Sequence, residues 1–142
     1  MTAAHKTYRE ADIVTADRGK LILMVYDHCI KWVRKAEEDL GAGNLEGMSK
    51  AIQRAQRGIN ELMSTLNMEK GGEVARNLFR LYDFYARHLT RALRERSGQA
   101  LRDVAGMMTR LREAWAQAIE KLRRETRGAL ADQSFGSLSL VS

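Results

Sequence analysis

Apolar residues recur along this chain at helical spacing, and in one place they do not alternate with polar ones at all. Leu45, Met48, Ile52, Ala55, Ile59, Leu62 and Leu66 are separated by alternating steps of 3 and 4. That is the narrow seam of a helix packed in a bundle. Leu101, Val104, Met108, Leu111, Trp115, Ala118 and Leu122 repeat it. Gly41-Ala42-Gly43, Gly71-Gly72 and Ser97-Gly98 interrupt the pattern, as glycine does where a helix ends. Asp17 suits the cap of a first helix and Asn44 that of a second. The pattern therefore predicts four helices, about 17–40, 44–67, 72–94 and 98–125, making residues 17–125 one bundle. An arm of residues 1–16 precedes it, and a small, polar, flexible tail of residues 126–142 follows it. Helices of about 23 residues are about 35 Å long, and short loops make sequential helices antiparallel neighbours. The expected fold is all-α, an antiparallel up-down-up-down four-helix bundle.

Two of the helices carry more apolar surface than a seam requires. Leu21 to Tyr26 is an unbroken run of six apolar residues. Helix 1 has one stripe at Ile22, Val25, Cys29, Trp32, Ala36 and Leu40, and a second at Leu23, Tyr26, Ile30 and Val33. Stripes offset by one residue diverge by about 100° around the axis. Helix 3 doubles in the same way: Val74, Leu78, Leu81 and Tyr85 beside Ala75, Phe79, Tyr82, Ala86, Leu89 and Leu93. Such stripes serve either a broad core, a contact with a second copy, or a groove for a foreign helix. Asp27 and Asn77 lie beside them and suit hydrogen bonding to a docked segment. Tyr8 and Ile13 stand out in the polar arm, able to staple the chain into helix 1 or to cover an empty groove until a partner displaces them.

Composition narrows the class. The chain has 142 residues and no proline, with 44% hydrophobic and 30% charged residues, which suits long uninterrupted helices. A single cysteine, Cys29, excludes an intramolecular disulfide. The first residues are polar and lack the apolar centre of a signal peptide, so a cytoplasmic protein is the expectation. The net charge is +6. Its 24 Lys and Arg are mixed with 18 acids along every helix. A diffuse footprint of this kind argues against nucleic acid, and clusters such as Arg91, Arg94 and Arg96 suit helix C-termini.

Catalytic chemistry is not legible. His5, His28 and His88 are far apart, and none follows a Glu by three positions, so the Glu-x-x-His pair of di-iron bundles is missing. Gly19-Lys20 lacks the earlier glycine and the following Ser or Thr of a phosphate loop. No catalytic residue, metal ligand or cofactor is assigned, and the expectation is that this is not an enzyme.

Four segments, in order, resemble the flagellar export chaperones of the FliS family. They are Thr15-Ala16-Asp17-Arg18-Gly19-Lys20-Leu21-Ile22-Leu23-Met24-Val25-Tyr26-Asp27, Met68-Glu69-Lys70-Gly71-Gly72-Glu73-Val74-Ala75-Arg76-Asn77-Leu78, Leu81-Tyr82-Asp83-Phe84-Tyr85 and Leu111-Arg112-Glu113-Ala114-Trp115. Order and spacing agree from about Tyr8 to Leu122. The chain has Asp17-Arg18 where the family usually has Ser-Pro, and His28 where a small residue usually follows Tyr-Asp. The resemblance implies a four-helix bundle that binds the disordered C-terminal segment of flagellin. Binding would prevent premature polymerisation and support secretion through the flagellar type III export apparatus. Other flagellar regulators or export components are further partners it allows. It points to Leu23, Tyr26, Leu78, Phe79 and Tyr82 as apolar anchors, Asp27 and Asn77 as register-setting groups, and Tyr8 and Ile13 as a displaceable cover. No membrane insertion is expected, and the protein is expected as a monomer or weak homodimer. The alternatives are a self-associating helical-bundle scaffold and a basic nucleic-acid-binding bundle.

Overall fold

The computed structural model describes residues 2–141, with side chains for residues 18–133. It has four helices: α1 (Thr2–Gly41), α2 (Leu45–Ser64), α3 (Met68–Glu95) and α4 (Gly98–Val141). The all-α four-helix bundle expected from the spacing is what forms, with no strand among the described residues. Loops of a few residues reverse the chain between helices, giving the up-down-up-down order.

The helix ends follow from local chemistry. Gly43 has a φ of 74°, and the carbonyls of Glu38, Asp39 and Leu40 accept from Ala42, Asn44 and Gly43, a C-terminal cap that favours glycine. The Asn44 side chain accepts from the Gly47 amide at 2.9 Å, and that of Asn67 from the Lys70 amide at 3.0 Å. Gly72, with φ 54° and ψ −130°, kinks α3 one turn after it begins. The paired glycines thus act inside α3 rather than before it.

α2 ends at Ser64 and α3 begins at Met68, a few residues before the expected 67 and 72, and two helix bounds differ by more. α1 begins at Thr2 rather than at Asp17, and α4 continues to Val141 rather than ending near residue 125. The physical reason is the absence of a stop: neither stretch contains proline, and residues 2–16 contain no glycine. Of the arm expected at 1–16 and the flexible tail expected at 126–142, residues 126–133 are described and lie within α4, while the side chains of 1–16 and 134–142 lie outside those described.

The chain forms two compact units. One is residues 22–112, and the other joins residues 1–21 with residues 113–142. In the second, a Cβ on Gly19 would come within 2.7 Å of the Ile119 side chain, so α1 and α4 pack closely there. The first unit holds segments of all four helices. α1 meets α2 where the Cys29 thiol points at the Ala55 carbonyl, 3.6 Å away. α2 meets α3 where Gln56 donates to Ala86 and Thr90 at 3.1 and 2.8 Å. α1 meets α4 where Arg112 grips Asp27. α1 reaches α3 across the bundle, where the Tyr26 and Tyr82 hydroxyls share a hydrogen bond of 2.5 Å and the rings meet edge to face, 6.2 Å apart.

These contacts explain the doubled stripes. The fully buried α1 residues are Tyr26, Cys29, Val33 and Ala36, and those of α3 include Tyr82, Tyr85 and Leu89. They come from both stripes of each helix. Residues three apart, such as Tyr26 and Cys29, lie only about 60° from each other around the axis, so each stripe pair forms the two shoulders of one core face. Of the alternatives the stripes left open, a broad core accounts for these residues of both stripes.

Three outcomes follow. A Cβ on Gly58 would overlap the Cys29 sulfur. Gly58→Ala should therefore lower stability by about 1–3 kcal/mol despite the better helix former, and Cys29→Ala in the same chain should restore most of it, measured by urea unfolding. Tyr26→Phe and Tyr82→Phe should each cost about 1 kcal/mol, with the double variant losing clearly less than the sum; additive costs would rule out a shared bond. Burial, with Glu61 adding to it, pushes the Cys29 thiol from 9.0 up to about 12. The fold thus favours the neutral thiol. Its stability contribution is full below about pH 9 and falls as pH rises towards 12. Part of the alkaline destabilisation between pH 8 and 11 should disappear in Cys29→Ala.

Candidate docking surface

An unbroken apolar run cannot be wholly buried on a helix. Six consecutive residues go round the axis more than once at 3.6 per turn. Leu21 and Met24 accordingly stand out at 60% and 63% exposed, while Tyr26 is fully buried. Neither Leu21 nor Met24 was singled out from the sequence, although the run itself carried the signal.

On α3, the exposed apolar residues are Met68 at 42%, in its first turn, then Val74 at 68%, Phe79 at 42% and Phe84 at 46%. Leu78 and Leu81 are half-buried between core and solvent. Val74, Leu78 and Leu81 continue along one shoulder of the helix at steps of 4 and 3. Phe79 lies on the other shoulder, towards Ala86, whose carbonyl faces α2. Phe84 points outward and stacks on His88, ring centres 5.1 Å apart. Steps of five set Val74, Phe79 and Phe84 about 140° apart around the axis, and isolated exposed apolar residues are ordinary; the shoulder of Val74, Leu78 and Leu81 is the continuous surface that can accept an amphipathic segment.

The proposed site residues divide sharply. Leu23 is half-buried on α1, and Leu78 and Phe79 offer surface on α3. Tyr26 and Tyr82 are 0% and 1% exposed. As anchors that touch a partner they are corrected: each ring is enclosed by the core and its hydroxyl is engaged by the other. They hold α1 and α3 together in the core. Asp27 is exposed but accepts from Arg112 Nε at 2.7 Å and Nη2 at 3.2 Å, so a partner amide would have to compete with a guanidinium fork. Asn77 is exposed, and its side-chain oxygen accepts from Arg80 at 3.3 Å. Tyr8 and Ile13 lie outside the described side chains.

Tyr85 shows how closed the core beneath this surface is. Burial, with Tyr82 adding to it and Arg110 opposing it, pushes its phenol from 10.0 up to about 12. No group of three metal-ligating side chains exists among the described residues, and none of their helices is long and apolar enough to cross a membrane. What the geometry offers is a rigid helical platform with apolar shoulders, suited to holding another chain.

Known proteins share this arrangement. A family model described as Flagellar protein FliS matches residues 1–122. The flagellar secretion chaperone FliS of Bacillus subtilis is 31% identical over 125 residues, 88% of this chain and 92% of its own length. That of Salmonella typhimurium is 34% identical over 113 residues, 79% of this chain and 84% of its own. A crystal structure of a bacterial flagellar chaperone superposes with a TM-score of 0.71, covering 84% of this chain and 98% of that one at 24% identity, which speaks for the fold. With most of its length matched in sequence and its helices matched in space, the chain belongs to the FliS family of flagellar secretion chaperones.

Proposed function

We propose that this chain works in the cytoplasm by binding the disordered C-terminal segment of flagellin, keeping it from polymerising and competent for the flagellar type III export apparatus. The observation that carries this reading is the apolar shoulder of α3, where exposed Val74 continues into half-buried Leu78 and Leu81, with Phe79 exposed on the other shoulder. The partner's apolar residues, repeating at helical spacing, would cover that surface as the segment folds against it. Leu23 supplies the α1 contribution, Leu78 and Phe79 anchor the segment, and Asp27 and Asn77 set its register from the edges. Tyr8 and Ile13 are proposed as contacts that cover the surface until the partner arrives. The action is non-covalent holding, without catalysis or a cofactor. Folding on binding of this kind commonly buries about 1,000–3,000 Å² and costs about 2–5 kcal/mol in ordering.

Calorimetric titration with a flagellin C-terminal peptide tests this. The expected result is saturable one-to-one binding with a negative heat-capacity change, little altered by salt. Val74→Glu combined with Phe79→Glu should weaken it by tenfold or more and leave thermal unfolding nearly unchanged, because both side chains are exposed. Undiminished binding by that variant would remove α3 as the docking helix. Absence of binding by the parent chain would remove flagellin as the partner.

A further inference from the structure

Some surface charges pair along the helices. Lys35 bridges to Asp39 at 3.1 Å, Lys50 to Glu46 at 3.1 Å, Arg76 to Glu73 at 2.9 Å and Arg91 to Glu95 at 3.0 Å. Arg87 pairs with Asp83. Other cations stand without such a bridge, and four basic side chains of that kind share the α1–α2 edge. His28, Lys31, Arg54 and Arg57 are all exposed there, and none forms an ion pair among the described residues.

Three of these four groups gather on one indole. The Arg54 guanidinium lies 4.4 Å from the Trp32 ring centre, and the Lys31 ammonium 5.5 Å from it. His28 meets the same ring edge to face at 6.2 Å. Trp32 is half-buried, so its faces hold the cations in place over a partly apolar base. Arg57 follows Arg54 by three residues and extends the charge along the same side of α2. A guanidinium stacked on an aromatic ring keeps its N–H edge free for a carboxylate. The patch is therefore organised before any partner binds, and none of its basic groups has an ion-pair partner among the described residues.

We infer that the α1–α2 edge around Trp32 is a second docking surface, for an acidic segment of another protein. The occupant is argued from charge complementarity. An acidic segment supplies the carboxylates that this patch lacks, and its apolar residues can rest on the indole. Nucleic acid fits less well, because the free cations occupy only about two helical turns, whereas strong phosphate binding draws on many contacts. The surface is independent of the α3 shoulder. Arg54 lies on the α1-facing side of α2, about 200° around the axis from Gln56, whose side chain reaches α3. A segment held on α3 and an acidic partner at Trp32 can then bind at once.

The test uses the full chain and a fluorescein-labelled acidic decapeptide of alternating glutamate and leucine, followed by anisotropy at low salt. A twelve-nucleotide single-stranded DNA serves as the rival probe. Saturable peptide binding is expected. Arg54→Glu with Lys31→Glu should weaken it by tenfold or more, with circular dichroism and melting unchanged. The control is Arg87→Glu with Arg91→Glu, which removes the same charge from α3 and should change affinity less than twofold. Equal loss in both variants would overturn the site, leaving only net charge. Absence of peptide binding, or DNA binding tighter than peptide and lost in the Trp32-edge variant, would overturn an acidic protein segment as the occupant.

Discussion

Two phenols meeting in the middle of the bundle decide which surfaces this protein can offer. Tyr26 on α1 and Tyr82 on α3 share a hydroxyl–hydroxyl bond and an edge-to-face contact. Such rings bring large buried area, and their polar ends demand partners once water is excluded. Their meeting sets the rotation of both helices about their own axes. Once Tyr26 points inward, Met24, about 160° away on the helix, must face solvent. Once Tyr82 points inward, Phe79 and Leu81 become shoulders and Phe84 becomes the outer face. The apolar surface left exposed on α3 is the geometric remainder of a core built around these rings.

Close approach in the core depends on small residues at a few points. Gly58 leaves room for the Cys29 sulfur, and the thiol uses that proximity to reach the Ala55 carbonyl. α1 and α2 therefore lie close enough for Arg54 to cover Trp32 at the edge. Packing that serves stability thus also builds the charged edge. The two candidate surfaces draw on different physics. The α3 shoulder works by removing apolar area from water and should tolerate salt. The Trp32 edge works by charge and should weaken as salt rises.

The fold was legible in the sequence because bundle helices announce themselves through spacing. The steps of 3 and 4 in α2 mark Met48, Ile52, Ala55, Ile59 and Leu62, all of them buried. Gly43 marks a true helix end through its positive φ. The site was only partly legible. Leu78 and Phe79 reach the surface, but Tyr26 and Tyr82, grouped with them by spacing, are core, because a stripe pattern gives angles between residues and not the direction of the bundle centre. Trp32 was assigned to an apolar stripe, and nothing in its own neighbourhood of sequence indicated that Arg54, 22 positions later, would lie over it.

Local chemistry by itself determined that this chain makes four helices, where most of them turn, and that α1 must expose part of its apolar run. Those follow from periodicity, capping residues and the missing proline, all properties of neighbouring residues. Four motifs in order also pointed to the family. Only the tertiary structure decided which shoulder of each helix is core and which is free, that Asp27 is engaged by Arg112, 85 positions away, and that unpaired cations gather at Trp32. These depend on how helices rotate against one another, and that rotation is set by packing among residues far apart in the chain.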